Sequence, residues 1–362
     1  MKPRWIAVPV LGFALMVYAD QPASALPSWA RRYDINCQSC HVRINRLNLM
    51  GLKMYRLGMR NAHDDTQTKN FGDYYNFKVQ VDAKGRTDNQ GEKSKAVPAF
   101  EPQVTLYGGG ALSPEFSFLF ESAISPEGSL ELADIYAQYT SKTDNFWTVR
   151  FGQFLPWLMV DNPVEVAADR GAPFPRERRY GVEIGGVRGE QLYGAVAAVQ
   201  SSDPHGVGRA DRYDYVANGE YVFDKEGSSL GAFGWIGQYY RDATLAMDDY
   251  QRYGVIGNLN RSKLLVTGGF SAGKGNSANG DRPKTIGFFG NLDFLLRPTL
   301  DPTLNVTWFD PNTDASDDEE TVATASLNWW AAENISLRPQ LIVDHTKALT
   351  QYRYAFRAVL IF

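Results

Sequence analysis

The five residues Cys37-Gln38-Ser39-Cys40-His41 carry the most specific chemistry in the sequence, and they include both cysteines of the chain. Two cysteines separated by two residues and followed at once by histidine form the sequence that attaches c-type haem. The thiols form thioethers with the two porphyrin vinyl groups, and the adjacent imidazole becomes the proximal ligand of the iron. A thioredoxin-like site needs a βαβ surrounding, which is absent, and a zinc site needs two further ligands nearby. The motif therefore predicts one covalent haem c, bound through Cys37, Cys40 and His41.

The distal ligand of that haem stays open among several side chains. Met50, Met54, Met59 and His63 all follow within 22 residues of His41, and Met159 is available on a distant predicted loop. Residues 42–60 are predicted to be helical, because apolar side chains recur there at helical spacing: Leu47, Met50, Met54 and Leu57. Methionines at that spacing also suit packing. A methionine ligand would raise the haem potential and a second histidine would lower it, and we slightly prefer Met54 and Met59 to His63.

Composition excludes several classes of protein. The chain has 362 residues with 37 basic and 41 acidic side chains, so it lacks the basic surface that binding to nucleic acid requires. With 44% hydrophobic and 22% charged residues it is too apolar for a disordered chain. The mean hydropathy of −0.34 and the absence of an uncharged apolar run of about 18 residues exclude a helical membrane protein. A β-barrel membrane protein stays compatible, since its strands alternate polar and apolar residues.

The first 25 residues are typical of a secretory signal peptide. Lys2 and Arg4 precede an uncharged apolar stretch from Trp5 to Tyr18, and Ala23-Ser24-Ala25 forms a small-x-small cleavage site. An uncleaved anchor is less consistent with this stretch, because its 14 residues fall short of the ~20 that cross a bilayer. We therefore predict three parts: a signal peptide at 1–25, a cytochrome segment at 26–73 and a barrel at 74–362.

From residue 74 onward the sequence predicts a sixteen-stranded antiparallel barrel. Segments of about ten residues alternate apolar and polar side chains with period two, as in Tyr213-Tyr215-Ala217-Gly219-Tyr221, and turn residues separate them. Sixteen such segments start near residues 74, 103, 114, 131, 146, 179, 191, 212, 229, 250, 263, 283, 302, 320, 334 and 351. The fold class is therefore all-β, preceded by a small α-helical cytochrome segment.

The connections between these strands indicate a location. Those after odd-numbered strands are mostly long, such as 155–178 and 201–210, whereas those after even-numbered strands are mostly short, such as 186–190 and 224–228. This alternation is typical of outer-membrane barrels with extracellular loops and tight periplasmic turns. We therefore expect an outer-membrane protein of a Gram-negative bacterium with both termini in the periplasm. The closing strand, which ends on Phe362, resembles the recognition signal of bacterial outer-membrane proteins.

The two halves together resemble the fused cytochrome–porins, a family that includes the outer-membrane iron oxidases of iron-oxidising bacteria. The resemblance lies in residues 26–41, which end in the haem motif, and in Leu47-Asn48-x-x-Gly51-x-x-Met54-Tyr55-x-x-Gly58. It spans the mature chain in architecture but only some 35 residues in motif. Asn45, Met50 and Met59 depart from the family pattern, and the barrel is on the short side. These departures weaken the implication of iron as substrate more than that of the fold.

This resemblance implies an electron conduit across the outer membrane. Electrons would pass between an extracellular donor, for which Fe²⁺ is the best guess, and a periplasmic c-type cytochrome or other acceptor, with the cytochrome segment plugging the lipid-embedded barrel. The acidic stretch from Asp310 to Glu320 would lie outside the cell, where its carboxylates suit hard cations, although a solvated loop is the simpler interpretation. The alternatives are a diffusion porin for small solutes or anions with a haem-containing gate or sensor, and outward electron transfer to extracellular acceptors.

Overall fold

A computed structural model gives the fold of the chain. The structure describes residues 32–33, 35, 37–43, 46–59, 75–88, 99–124, 130–141, 145–156, 178–201, 213–240, 247–274, 284–297, 299–316, 318–332, 335–347 and 350–361. The predicted signal peptide at 1–25 lies outside these residues.

Within the described residues 37–56, four short elements precede the barrel. Helix α1 spans Cys37–Cys40 and is followed by the strands β1 (His41–Arg43) and β2 (Arg46–Leu47), which pair antiparallel. Helix α2 spans Leu49–Arg56. The predicted helix over 42–60 is therefore wrong at its start. Asn48 is the N-cap of α2, and its side-chain oxygen accepts a hydrogen bond from Gly51 N at 2.9 Å, which fixes the first turn of the helix at Leu49.

Sixteen antiparallel strands form one closed barrel, in which each strand pairs with its neighbours in the sequence and β18 pairs with β3. The predicted number of strands is confirmed. The strands are β3 (Tyr75–Asp88), β4 (Ala99–Ala111), β5 (Phe116–Ile124), β6 (Leu130–Thr140), β7 (Phe146–Phe154), β8 (Arg179–Arg188), β9 (Leu192–Gln200), β10 (Tyr213–Val222), β11 (Ser229–Tyr240), β12 (Met247–Arg261), β13 (Leu264–Lys274), β14 (Lys284–Phe294), β15 (Leu300–Asp310), β16 (Glu320–Ala332), β17 (Ile335–Thr346) and β18 (Thr350–Ile361).

Alternation along each strand separates an outer face from an inner face. On β10, Tyr213, Tyr215 and Tyr221 are exposed, whereas Asp214 and Glu220 are buried. Exposed apolar side chains continue around the barrel, as on a surface that faces lipid. None of the helices among the described residues is long and apolar enough to span a membrane.

The two ends of the barrel differ in their connections. At one end the turns are tight, as at 189–191 between β8 and β9 and at 262–263 between β12 and β13. At the other end the connections include 155–178 and 201–212. We call these the short-turn end and the long-loop end. Connections 125–129 and 347–349 are short although they lie at the long-loop end, so the predicted alternation holds for most strands but not all.

Aromatic rings form a band on the outer surface at the short-turn end. The ring of Tyr139 lies 5.4 Å from that of Phe116 and 5.0 Å from that of Trp147, across the adjacent strands β5, β6 and β7. Tyr221 and Phe223 form a similar pair at 5.4 Å on the last residues of β10 and the turn that follows. Such girdles occur in membrane barrels at the level of the lipid headgroups, because tyrosine and tryptophan combine an apolar ring with a polar group.

Candidate functional site

The haem-attachment motif forms a compact turn that α2 covers. Cys37 and Cys40 are the first and last residues of α1, and His41 begins β1 directly afterwards. The carbonyl of Cys40 accepts a hydrogen bond from Asn48 N at 2.9 Å, and that of Ser39 accepts one from Asn48 Nδ2 at 3.0 Å. The motif is therefore tied to the start of α2 through the last two carbonyls of α1.

A glycine in α2 permits the close contact between the two helices. A Cβ atom built on Gly51 would lie 2.1 Å from the carbonyl oxygen of Cys40 and 2.9 Å from a methyl carbon of Leu47. No side chain fits at that distance, so Gly51 is required by packing. One turn further along α2, Met54 Sδ lies 3.4 Å from Cys40 Sγ. Together these contacts place the thioether of Met54 next to the thiol of Cys40, the residue that precedes His41.

The candidates for the distal ligand lie in different surroundings. Met54 is buried next to Cys40. Met59 lies three residues after the end of α2, has a left-handed backbone with φ of 60°, and packs against the inner wall of the barrel. His63 and Met159 lie outside the described residues. The distal ligand therefore stays a prediction, and Met54 is the candidate that the fold brings next to the attachment motif.

The residues that are present fit a covalently attached haem c. Residues spaced three apart lie on the same side of a helical turn, so the backbone of α1 suits the attachment of two thioethers to one porphyrin. The backbone of His41 follows this turn directly, which suits its role as the proximal ligand. The close contact at Gly51 keeps α2 packed against this turn.

Helix α2 lies inside the barrel and is held there by charged side chains. Arg56 forms an ion pair with Glu220 on the inner face of β10, and the two side chains are 0% and 3% exposed. The guanidinium also lies over the ring of Tyr193, 4.7 Å from its centroid. From a further strand, β6, Gln138 Nε2 donates to the carbonyl of Arg56 at 2.8 Å. A single residue of α2 thus contacts three strands of the wall.

A second ion pair joins α2 to the rim of the short-turn end. Lys53 pairs with Glu190 in the β8–β9 turn and lies over the ring of Phe146 at 5.6 Å. Glu190 has a φ of 67° and follows Gly189 with a φ of 59°, as in the type I′ turn that joins tight hairpins. This turn geometry places the Glu190 carboxylate where it meets the lysine.

Apolar contacts fill the space between α2 and the wall. Leu57 is fully buried against Phe146, Val187 and Tyr193 on the inner faces of β7, β8 and β9. Tyr55 packs against the same cluster, and burial followed by the nearby Tyr136 raises the pKa of its phenol well above the usual value, so the hydroxyl stays neutral.

Gly58, which follows Leu57, makes a very close contact with the wall. A Cβ atom on Gly58, whose φ is +77°, would lie 2.0 Å from Ser117 Oγ of β5. Both the backbone conformation and the lack of space therefore require glycine at this position.

The start of α2 is attached to a turn of the barrel. Leu49 N donates to the carbonyl of Lys225 at 3.1 Å, in the β10–β11 connection. In the same turn, a Cβ on Gly227, whose φ is +83°, would lie 2.8 Å from the carbonyl oxygen of Leu47. Because this turn belongs to the short-turn end, the attachment motif lies at the same end of the barrel.

One part of the inner wall near α2 carries an apolar cluster, where an open porin would be polar. Val199, Phe233, Trp235 and Ile256 are at least 95% buried on the inner faces of β9, β11 and β12. They belong to one cluster that extends from β5 to β14 and contacts Met59. Alternation predicted these strands, but it does not say which of their inward-facing side chains are apolar.

Another part of the inner wall is polar. Arg357 of β18 donates to both carboxylate oxygens of Asp82 of β3, at 2.8 and 3.2 Å, across the pair of strands that closes the barrel. Arg353 lies four residues before Arg357 on the same face of β18. It is 3.6 Å from Asp344 of β17, and its side chain is 39% exposed. Charged groups with access to solvent therefore line one side of the lumen.

The connection 155–178 is anchored on the inner wall at both ends. Leu155 N donates to Asp134 Oδ1 at 3.1 Å, and Arg178 Nε lies 3.3 Å from the same oxygen. Arg178 also pairs with Glu121 at 3.1 Å. One carboxylate of β6 thus receives both ends of the connection, which brings them to the lumen side of the wall.

The acidic stretch from Asp310 to Glu320 follows β15 at the long-loop end. Asp310 and Asn312 accept hydrogen bonds from backbone N–H groups two residues onward, as in Asx turns. Among the described residues, no group of three or more His, Cys, Asp and Glu side chains is placed to hold a metal ion. The first residues of the stretch therefore form two successive Asx turns.

The main contacts of this site were not predicted from the sequence. Arg56 and Glu220 are 164 residues apart, and no local pattern connects them. Asn48 carried a local signal, because asparagine directly before an apolar periodic segment is typical of an N-cap.

Comparisons with known proteins show similarity only at the level of the fold. No protein-family profile and no curated protein sequence match the chain. The outer membrane channel DcaP of Acinetobacter baumannii is similar to it with a TM-score of 0.60 and 13% identity, over 80% of this chain and 96% of that one. The anion-selective porin from Comamonas acidovorans has a TM-score of 0.56 and 10% identity, over 80% and 99%. OmpF of Salmonella typhi, solved in complex with daunomycin, has a TM-score of 0.56 and 10% identity, over 80% and 97%. The chain therefore has the closed-barrel fold of outer-membrane porins and channels.

Proposed function

We propose that this protein is an outer-membrane barrel that carries one haem c and passes electrons between an extracellular donor and a periplasmic c-type cytochrome. The observation that carries the proposal is the position of the Cys37-x-x-Cys40-His41 motif, which α2 holds at the short-turn end of a closed barrel. The porin fold supports the membrane location, in the outer membrane of a Gram-negative bacterium.

The direction of the barrel follows from its connections. In outer-membrane barrels the tight turns lie in the periplasm and the long loops outside the cell. The attachment motif would then lie on the periplasmic side, within reach of a soluble electron acceptor. A hydrocarbon layer of about 30 Å otherwise separates such an acceptor from an extracellular donor. The barrel wall excludes lipid, and α2 sets the attachment residues at its mouth.

The roles of the chain's own residues can be stated separately. Cys37 and Cys40 would attach the porphyrin, and His41 would be its proximal ligand. A bound haem c supplies a one-electron couple whose potential depends on its axial ligands and burial. Arg56, Lys53 and Leu57 keep the cytochrome segment inside the barrel, and Gly51 and Gly58 permit its close contacts.

Fe²⁺ is the donor that we propose. The acidic loop from Asp310 to Glu320 lies at the long-loop end, which would face the outside, where its negative charge would attract the cation. Electron transfer has wider support than iron, because the attachment motif and the position of α2 support it for any donor.

A diffusion porin is the second candidate, and the fold of the similar structures favours it more directly than it favours electron transfer. The wall with Asp82, Arg353, Arg357 and Asp344 is consistent with passage of small solutes or anions, and the haem segment would then be a gate or sensor. Outward electron transfer is a further alternative, which the haem potential distinguishes, since a donor must lie below its acceptor.

The deciding experiment mixes the purified, oxidised protein in detergent with Fe²⁺ under anaerobic conditions and follows the haem absorbance by stopped flow. Fast appearance of the reduced haem bands is the expected result. The Cys37→Ala/Cys40→Ala variant is the control, and it should show no such bands. Reduction by dithionite but not by Fe²⁺ would contradict iron oxidation. A wild-type protein without haem, together with a steady conductance in planar bilayers, would instead establish the diffusion porin.

A further inference from the structure

Asn48 joins the end of α1 to the start of α2. Its backbone N and its side-chain Nδ2 donate to the carbonyls of Cys40 and Ser39 at 2.9 and 3.0 Å. Its Oδ1 accepts from Gly51 N and its carbonyl accepts from Leu52 N, both at 2.9 Å. The donors thus hold the end of α1 while the acceptors begin α2.

The next residue connects this joint to the barrel. Leu49 N donates to the carbonyl of Lys225, and Gly227 in the same turn leaves room for the carbonyl of Leu47 next to it. Residues 47–49 are therefore fixed between the attachment motif on one side and the β10–β11 turn on the other.

We infer that Asn48 is a positioning residue that sets the orientation of His41 relative to the barrel. The inference rests on the proposed function, because it concerns the haem that His41 would ligate. Asn48 holds the carbonyl of Cys40, which belongs to the peptide bond that leads into His41, and that of the residue before it. Since groups that orient an axial ligand tune the metal, the hydrogen bonds of Asn48 would act on the haem through the placement of the His41 backbone, without touching the haem.

A helix cap alone does not account for this arrangement. Asp and Ser cap helices about as well as Asn, and Asp gains from the helix dipole. Neither of them carries the N–H₂ group that reaches Ser39 O. The choice of asparagine is therefore explained by the attachment motif, since α2 itself requires only the acceptor.

This difference separates the two roles in an experiment. Asn48→Asp and Asn48→Ser keep the acceptor for Gly51 N but lose the donor to Ser39 O. Asn312→Asp is the matched control, because the oxygen of Asn312 accepts from Asp314 N in the β15–β16 connection. Each variant is measured as the full chain in detergent for haem per protein, electron paramagnetic resonance of the oxidised haem, reduction potential and rate of cyanide binding.

The expected result is that both Asn48 variants retain the barrel and the covalent haem but show altered resonance positions and a shifted potential. The rate of cyanide binding should also differ from that of the wild type. Asn312→Asp should match the wild type. Spectra and potential identical to wild type in both Asn48 variants would overturn the inference and leave the proposed function intact. A wild-type chain that carries no haem would instead overturn the proposed function.

Discussion

Arg56 of α2 and Glu220 of β10 form an ion pair inside the barrel, with both side chains at least 97% buried. Burial removes both charges from water, and the pair offsets that cost only while both partners are present. The stacking of the guanidinium on Tyr193 adds an attraction that also depends on position. The docking of α2 is thus specific in register, because a shift along the wall would leave both charges unpaired.

Removal of Arg56 should release α2 from the lumen. Arg56→Ala leaves Glu220 buried without its cation, a change that typically costs about 3–5 kcal/mol. We expect faster proteolysis of the segment before β3 and a higher single-channel conductance in planar bilayers. The double variant Arg56→Met/Glu220→Met should resemble the wild type in proteolysis and conductance, since apolar side chains of similar volume often replace buried ion pairs without loss of stability.

Arg261→Ala is the control for this prediction. Arg261 pairs with Asp224 at 2.9 Å, but its side chain is 61% exposed, so removal of this ion pair should lower the stability by at most about 1 kcal/mol. Equal proteolysis and conductance in Arg56→Ala and Arg261→Ala would mean that the Arg56–Glu220 pair does not hold α2 in place.

Gly58→Ala should destabilise the docked segment. The left-handed backbone costs an L-residue about 1–2 kcal/mol, and the new methyl group would also meet Ser117 Oγ. We expect a lower thermal midpoint, with partial recovery in Gly58→Ala/Ser117→Gly because the second change removes the clash but not the backbone strain.

Gly234→Ala provides the comparison on the outer face of β11. Nothing lies within 4 Å of a Cβ at Gly234, and alanine loses less conformational entropy on folding than glycine. Its thermal midpoint should equal or exceed that of the wild type. A Gly58→Ala variant as stable as Gly234→Ala would contradict the tight contact between α2 and β5.

Tryptophan fluorescence should distinguish the two faces of the wall. Trp147 and Trp329 are 48% and 41% exposed on the outer face, whereas Trp235 is 1% exposed and donates to Asp214 in the interior. Lipids with brominated acyl chains should therefore quench Trp147 and Trp329 but not Trp235. Trp147→Phe should reduce the quenched fraction, and Trp235→Phe the unquenched fraction. Quenching of Trp235 to the same extent would contradict its inward orientation.

The β10–β11 turn should weaken in acid. Burial alone would raise the pKa of Asp224, but hydrogen bonds from Ser228 and the guanidinium of Arg261 outweigh it and lower the pKa below the usual 3.8. A lowered pKa gives stability that is present above the usual value and is lost as the pH falls through the folded value.

Amide exchange can measure this loss. Ser228 N donates to Asp224 Oδ1 at 2.8 Å, so its protection should decrease when the pH falls below about 4. Asp224→Asn should show a weaker pH dependence, because the amide does not titrate. The same pH dependence in both proteins would show that another group is responsible.

The barrel was predictable because each strand repeats the same local pattern, in which polar and apolar side chains alternate. All sixteen strands begin within four residues of their predicted starts, with β4 the furthest at Ala99. Period-two alternation is interrupted only locally, as at the bulge between Phe120 and Ser122 of β5, where Ser122 and Ala123 are both buried. The beginning and end of a strand depend on residues that are close to it in the sequence, so they can be predicted from a single sequence.

The contacts of α2 were not predictable for the opposite reason. Gln138, Glu190 and Glu220 reach α2 only because the barrel curves around it, and their distance in the sequence gives no sign of this. Alternation also leaves the identity of the inner face undecided on β11, where Phe233 and Trp235 face inward and Ile236 outward. Packing of the whole barrel decides these cases.

The seam between β18 and β3 has a consequence for how the molecule is made. Asp82 and Arg357, which meet across it, are 275 residues apart, so the ring can close only after nearly the whole chain has been synthesised. Contacts of such long range make folding slow. Helix α2 lies before β3 in the chain yet inside the finished ring. The wall must therefore be completed around a segment that was synthesised before it, so the barrel strands have to close around α2 during folding.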